Sequence, residues 1–182
     1  IVINIACGLD TRCYRMKGKY VRWYNLDLPE TMNIRKQFLK ETGPIYQIAK
    51  SAMDESYRDN IQYHGENILV IIEGLTMYLS ENDIKKMFSI IDFKNSTVMV
   101  EVMVPFVVKH IKEKSIEGSH AKFTWGIKNG KELEKFLPTF SFLTEVSLVE
   151  GIKKLMPIYH VLGKIPFVYN ISNKIVVLNN HN

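Results

Sequence analysis

The chain has 182 residues, 46% of them hydrophobic and 24% charged, which is typical of a globular domain large enough to bury a core. No apolar run approaches the ~20 residues of a membrane-spanning helix, so we expect no membrane partner. The net charge is +5, but the lysines are spread along the chain. Their densest group, Lys109, Lys112 and Lys114, is typical of a solvated helix face, and we expect no nucleic-acid partner.

The only cysteines are Cys7 and Cys13. Two cysteines are too few for a disulfide framework or a zinc cage, so we expect free thiols and no metal site. Free thiols are typical of a reducing compartment, which predicts a cytoplasmic location.

The first thirty residues have the pattern of a nucleotide site in a parallel α/β sheet. An apolar strand, residues 1–6, breaks at Gly8, a helix is predicted over residues 9–16, and a second strand, residues 20–26, ends at Asp27. A glycine lets the backbone pass close to a ligand, and an acid about 20 residues later can accept hydrogen bonds from ribose hydroxyls.

The phosphate-binding part of this pattern is missing. A dinucleotide loop has three glycines, whereas Ala6, Gly8 and Thr11 occupy the corresponding positions here. A single glycine suits a ligand that has a ribose but no pyrophosphate, and S-adenosylmethionine (SAM) is the common ligand of this kind. From the glycine and the acid alone, an ordinary strand–turn–helix with a surface Asp27 is an equal alternative.

The later pattern extends the same sheet. Strands are predicted at residues 45–49, 68–72 and 97–104, and the unbroken apolar run 68–72 indicates a central parallel strand followed by Glu73. A helix opened by Pro29 should bury Ile34, Phe38 and Leu39, and a second helix should bury Ile84, Met87, Phe88 and Ile91. A helix is also expected from residue 105 to about 117 and another over 131–137. Residues 142–148 and 174–178 predict two late antiparallel strands.

Three blocks of sequence, in this order, resemble the leucine carboxyl methyltransferase family, which includes polyketide O-methyltransferases. They are residues 4–12 (NIACGLDTR), residues 23–30 (WYNLDLPE) and residues 73–79 (EGLTMYL). The resemblance runs from residue 1 to about residue 104.

This resemblance implies a Rossmann-like class I methyltransferase fold: a mainly parallel seven-stranded sheet with an antiparallel C-terminal strand and helices on both faces. It implies SAM as cofactor and S-adenosylhomocysteine as product. The acceptor would be a carboxylate or hydroxyl, either of a small polyketide-like molecule or of a peptide C-terminus. We expect residues 1–182 to form one domain that is N-terminally incomplete, because family members carry a preceding helical segment that supplies an arginine to the cofactor's carboxylate.

The resemblance also assigns roles to individual residues. Glu73 would bind the cofactor's ammonium or a donor group of the substrate, and Glu73 and Tyr78 are the candidate catalytic residues. The cofactor-binding candidates are Ala6, Cys7, Gly8, Asp27, Leu28, Met53, Asp54 and Glu73. Met53 and Asp54 would hold the adenine, although many relatives have an Asp-Leu pair where Ala52-Met53 aligns here, so a helix cap is an equal alternative for Asp54. The alternative for Glu73 is a structural role, in which its carboxylate caps the next turn.

Two other hypotheses remain at this stage. One is a degenerate methyltransferase-fold domain that binds without catalysis. The other is a nicotinamide-dependent dehydrogenase, which the single glycine disfavours. A homodimer is also compatible with an incomplete domain that exposes apolar surface.

Overall fold

A computed structural model describes residues 1–110 and 121–180. Within them the chain forms one seven-stranded sheet in the order β3-β2-β1-β4-β5-β7-β6. Strands β1 to β5 pair in parallel, and β7 is antiparallel to both of its neighbours, which confirms the predicted fold class. The strands are β1 (Val2–Ile5), β2 (Trp23–Asp27), β3 (Ile45–Ala49), β4 (Ile68–Ile72), β5 (Ser96–Val102), β6 (Phe140–Ser147) and β7 (Lys174–Asn180).

Helices follow the strands and surround the sheet. In the described part of the chain they are α1 (Arg12–Arg15), α2 (Pro29–Phe38), α3 (Glu81–Ile90), α4 (Pro105–His110), α5 (Gly130–Phe136), α6 (Val149–Leu155), α7 (Tyr159–Leu162) and α8 (Pro166–Ile171). Two 3₁₀ helices, Glu55–Asn60 and Thr76–Tyr78, lie after β3 and β4. The predicted helix from Pro105 is present over its first residues, and the rest of that prediction lies outside the described residues.

The strand register brings the predicted site residues to one edge of the sheet. Ile5, the last residue of β1, lies opposite Leu26 of β2 and Ile72 of β4. The residues that come next along these three strands are Ala6, Asp27 and Glu73, so they meet at the carboxyl edge. In open α/β sheets this edge is where ligands bind.

Both faces of the sheet are packed. One face carries the larger core, in which Ile3 and Ile5 lie in the same buried cluster as Ile84 and Phe88 of α3. The other face carries a smaller cluster that includes Trp23. Helix α3 buries the predicted Ile84, Met87 and Phe88, and Ile91 is buried directly after it. A capping box between Ser80 and Asp83 fixes the start of the helix.

The predicted inner face of α2 is wrong. Ile34 is 51% exposed and Phe38 is 70% exposed, whereas Met32 and Arg35 are fully buried. The physical reason is a polar network beneath the helix, described below, which needs Arg35 on the inside and therefore turns Ile34 and Phe38 outward.

The region between β6 and β7 is helical. It forms the three short helices α6, α7 and α8. No helix of the described residues is long and apolar enough to span a membrane.

Candidate functional site

The turn after β1 is held against β2 by hydrogen bonds from two of its backbone amides. Ala6 and Gly8 have positive φ angles of 54° and 48°, so the chain reverses sharply between them. The Cys7 amide donates to the Leu26 carbonyl at 3.2 Å, and the Gly8 amide donates to Oδ2 of Asp27 at 2.8 Å. The turn therefore presents Asp27 at the carboxyl edge.

Asp27 lies between two backbone donors. Its Oδ1 accepts from the Leu28 amide at 2.8 Å while Oδ2 accepts from Gly8. A carboxylate has about four acceptor positions, so both oxygens retain capacity for further donors. The two amides orient the carboxylate but leave acceptor positions on both oxygens. Binding of a pair of hydroxyls requires such positions.

A cavity of about 190 Å³ opens beside Asp27. The loops that follow β1 to β4, with Leu26 at the end of β2, supply its wall, which is mostly apolar with a few polar groups, as is typical of small-molecule sites. The lining residues are Ala6, Leu26, Asp27, Leu28, Lys50, Ser51, Ala52, Met53, Leu75 and Leu79. Four of the predicted cofactor-binding residues are thus in this wall, namely Ala6, Asp27, Leu28 and Met53.

The side chain of Cys7 lies beneath the turn and is not part of the cavity wall. Its side chain is only 4% exposed, and its Sγ is 3.9 Å from the sulfur of Met32. Burial raises the pKa of the Cys7 thiol to about 12, so the thiol stays protonated at neutral pH. The Cys7 side chain packs under the loop, and a contact of this residue with the cofactor stays a prediction.

Asp54 caps the 3₁₀ helix that follows β3. Its Oδ1 accepts from the Ser56 amide at 3.0 Å and from the Ser56 hydroxyl at 2.7 Å, and these bonds lower the pKa of the exposed carboxyl. Asp54 is not among the residues that line the cavity. The structure therefore shows the capping role that the sequence left as an alternative.

Glu73 follows β4 and forms an ion pair with Arg12, whose Nη2 is 2.5 Å from its Oε2. Arg12 also contacts Asp10, with its amide 2.8 Å from Oδ1 and its Nε 2.7 Å from Oδ2. Burial of Asp10 opposes its ionisation, but these hydrogen bonds and the charge of Arg12 outweigh it, so the pKa of Asp10 is lowered. A chain of alternating charges thus runs from the turn after β1 to the end of β4.

Tyr78 lies at the end of the second 3₁₀ helix, where its ring packs 5.5 Å from that of Phe123. Glu101 of β5 supports the same edge. It accepts from the Gly74 amide at 3.0 Å and from the Asn173 side chain at 2.8 Å. These contacts hold the turn that carries Glu73 in place.

A buried polar network beneath the site was missed by sequence reasoning. Arg35 of α2 donates to the carbonyls of Gly8 and Asp10, at 2.8 and 2.7 Å, and forms a fully buried ion pair with Glu41. Asn25 donates to the same Glu41 at 2.7 Å. The available signal was the pair of asparagines, Asn4 and Asn25, which interrupt two apolar strands at adjacent positions.

The lining residues Lys50, Ser51, Leu75 and Leu79 were also missed, because the sequence marks them only as loop. No group of three or more His, Cys, Asp or Glu residues in residues 1–110 and 121–180 is arranged to hold a metal.

The sequence profile of the leucine carboxyl methyltransferase family matches residues 1–92, about half of the chain. The chain belongs to this family. The tetracenomycin polyketide synthesis O-methyltransferase TcmP of Streptomyces glaucescens is 30% identical over 155 residues, which cover 83% of this chain and 57% of TcmP. The S-adenosyl-L-methionine-dependent methyltransferase dpfgK of Gibberella zeae is 25% identical over 170 residues, which cover 85% of this chain and 57% of dpfgK. The chain thus spans little more than half the length of these two relatives.

Among solved structures, a SAM-dependent methyltransferase from Anabaena variabilis superposes with a TM-score of 0.61 at 12% identity, covering 98% of this chain and 76% of that protein. At this identity the likeness shows the shared fold alone. That fold is the class I methyltransferase fold, as expected from the sequence.

Proposed function

We propose that this chain is the cofactor-binding domain of a SAM-dependent O-methyltransferase. The observation that supports this most directly is the Asp27 carboxylate, oriented by the amides of Gly8 and Leu28 at the wall of the cavity. Membership of the leucine carboxyl methyltransferase family adds the reaction class.

The residues around the cavity fit the parts of SAM. Asp27 would accept both ribose hydroxyls, since each of its oxygens has unused acceptor capacity. Ala52 and Met53 would cover one face of the adenine, because they form the apolar wall after β3. Glu73 would accept from the cofactor's ammonium at the end of β4, which gives its exposed carboxylate a second cationic partner.

When bound, SAM supplies a methyl group on an already activated sulfonium leaving group. The chain's own contribution is then mainly to hold the donor in line with the acceptor oxygen. A carboxylate acceptor is ionised at neutral pH and needs no base, whereas a hydroxyl acceptor needs one. Glu73 and Tyr78 are our candidates for contacts at the reacting end.

For the acceptor we favour an oxygen of a polyketide-like small molecule, because the curated relative TcmP is described as an enzyme of polyketide synthesis. A peptide carboxylate, which the name leucine carboxyl methyltransferase suggests, is the second candidate. Incubation of the chain with methyl-labelled SAM and each acceptor class separates the two by the identity of the labelled product.

Substitution of Asp27 tests the ribose contact. We predict that Asp27→Ala weakens S-adenosylhomocysteine binding at least tenfold in a calorimetric titration, because two charge-assisted hydrogen bonds are lost. Glu30→Ala is the matched control, since Glu30 is an exposed acid in the first turn of α2 and should change the affinity less than twofold. Equal affinities of wild type and Asp27→Ala would remove this role.

Thermal shifts separate the reaction classes. S-adenosylhomocysteine should raise the melting temperature of the chain, and NAD should leave it unchanged, since the turn at Gly8 lacks the glycines of a pyrophosphate loop. A shift with NAD alone would favour a dehydrogenase. Binding of S-adenosylhomocysteine without methyl transfer to any acceptor would favour a domain that binds but does not catalyse.

A further inference from the structure

Arg12 lies between two carboxylates that belong to different parts of the fold. Asp10, in the turn after β1, accepts hydrogen bonds from the Arg12 amide and from Arg12 Nε. Glu73, after β4, forms an ion pair with Arg12 Nη2. The Arg12 side chain is 27% exposed and that of Glu73 is 43% exposed. The pair is therefore accessible to a ligand at the carboxyl edge.

The position of Arg12 is fixed through Asp10, which two residues beneath the turn hold in place. Asn4 donates to Oδ2 of Asp10 at 2.8 Å, and the buried Arg35 donates to the Asp10 carbonyl at 2.7 Å. Asp10 in turn orients the guanidinium of Arg12. The Nη1 atom of Arg12 makes no hydrogen bond or ion pair with any residue in the described part of the chain.

The register places this ion pair at one end of the site. Ala6 follows β1 between Asp27 on the β2 side and Glu73 on the β4 side. Neighbouring strands are about 4.8 Å apart, so the two carboxylates stand on strands about 10 Å from each other. A nucleoside held at Asp27 would therefore extend its substituent toward Glu73 and Arg12.

We propose that Arg12 binds the carboxylate of the amino-acid part of SAM, beside the ammonium held by Glu73. A zwitterion carries one negative and one positive group on a single carbon, and the adjacent Arg12 and Glu73 offer the complementary pair. Nη1 is the donor available to the ligand, while Nε and Nη2 keep their contacts to Asp10 and Glu73. This assignment rests on the proposed function. It gives the carboxylate a partner in the turn after β1, in addition to the arginine that the resemblance assigns to a preceding segment.

A purely structural role for Arg12 makes a different prediction. If Arg12 only ties the turn after β1 to the end of β4, its removal should disturb the whole pocket. Every nucleoside ligand would then lose affinity to a similar extent, whether or not it carries a carboxylate. Ligands that differ in the tail alone distinguish the two roles.

Three ligands make this comparison in calorimetric titrations of the whole chain. S-adenosylhomocysteine carries both charged groups, S-adenosyl-3-thiopropylamine lacks only the carboxylate, and 5′-methylthioadenosine lacks both. We expect Arg12→Ala to weaken S-adenosylhomocysteine about tenfold, as is typical for loss of a charge-assisted hydrogen bond, and to change the other two less than twofold. Glu73→Gln should weaken the two ligands that carry an ammonium and spare 5′-methylthioadenosine.

Arg15→Ala is the matched control, because Arg15 is a 68% exposed arginine only 4.0 Å from the same Asp10. It should leave all three affinities within twofold. The wild type gives a test that needs no variant, since it should bind S-adenosylhomocysteine about tenfold more tightly than S-adenosyl-3-thiopropylamine.

Equal affinities of the wild type for these two ligands would overturn the assignment, and so would a parallel loss of all three ligands in Arg12→Ala. If all ligands bind through Asp27 but none depends on Arg12, only the role of Arg12 fails. If the wild type binds none of the three, the proposed function fails with it.

Discussion

Gly8 lets the turn after β1 bring its amide to Asp27. Its φ of +48° is in the left-handed region, and a Cβ added there would meet no atom within 4 Å. Glycine is therefore favoured at this position because of the backbone conformation, and not because a larger side chain would clash. Ala6, two residues earlier, has a φ of 54° without being glycine, so this turn already holds one strained residue.

We predict that Gly8→Ala lowers the free energy of unfolding by about 1 kcal/mol in urea titrations, because an L residue is disfavoured in the left-handed region. Gly151→Ala is the control. Gly151 lies in α6 with no positive φ and no neighbour within 4 Å of an added Cβ, so alanine should leave stability unchanged or raise it slightly. Equal destabilisation by both changes would contradict the conformational role of Gly8.

At the scale of elements, helix α2 connects the sheet to the turn after β1. Arg35 on its inner face reaches the carbonyls of Gly8 and Asp10, and Glu41, just after the helix, neutralises it. Both side chains are fully buried. A buried ion pair is weak evidence for stability, but removal of one partner leaves an uncompensated charge in the interior.

We therefore predict that Glu41→Gln destabilises the chain by about 3 kcal/mol or more, measured by chemical denaturation. Glu81→Gln is the matched control, since Glu81 forms an exposed ion pair with Lys85 and should cost less than about 1 kcal/mol. The paired replacement Arg35→Met with Glu41→Leu should be less harmful than Glu41→Gln alone. Similar losses for Glu41→Gln and Glu81→Gln would show that the buried pair does not hold α2 in place.

For the whole molecule, the sheet and the meeting of Ala6, Asp27 and Glu73 at its carboxyl edge were predictable from sequence. The apolar runs of β1 and β4, each followed by a glycine within three residues, indicate buried parallel strands. The spacing of Gly8 and Asp27 indicates a ribose site, and the structure places these two residues in direct contact. The three sequence blocks added the family, which the profile match confirms.

Other features depend on contacts that local patterns do not encode. A helical apolar stripe predicts that Ile34 and Phe38 face inward, but the buried charge of Arg35 is compensated only by residues distant in sequence, so periodicity favoured the wrong face. Asp54 was equally compatible with binding adenine and with capping a helix, and the hydrogen bonds to Ser56 that show the capping role appear only in the structure. From sequence, Arg12 could be a surface residue or could lock the turn after β1 to the sheet. Its ion pair with Glu73 became visible only when β1 and β4 were placed side by side.

A crystal structure of this chain grown with saturating S-adenosylhomocysteine is the most direct measurement of the central claim, that the carboxyl edge at Asp27 binds the nucleoside of SAM. The account predicts ribose hydroxyls within hydrogen-bond distance of both Asp27 oxygens and adenine against Met53. Nucleoside density elsewhere on the molecule, or none at a saturating concentration, would contradict it.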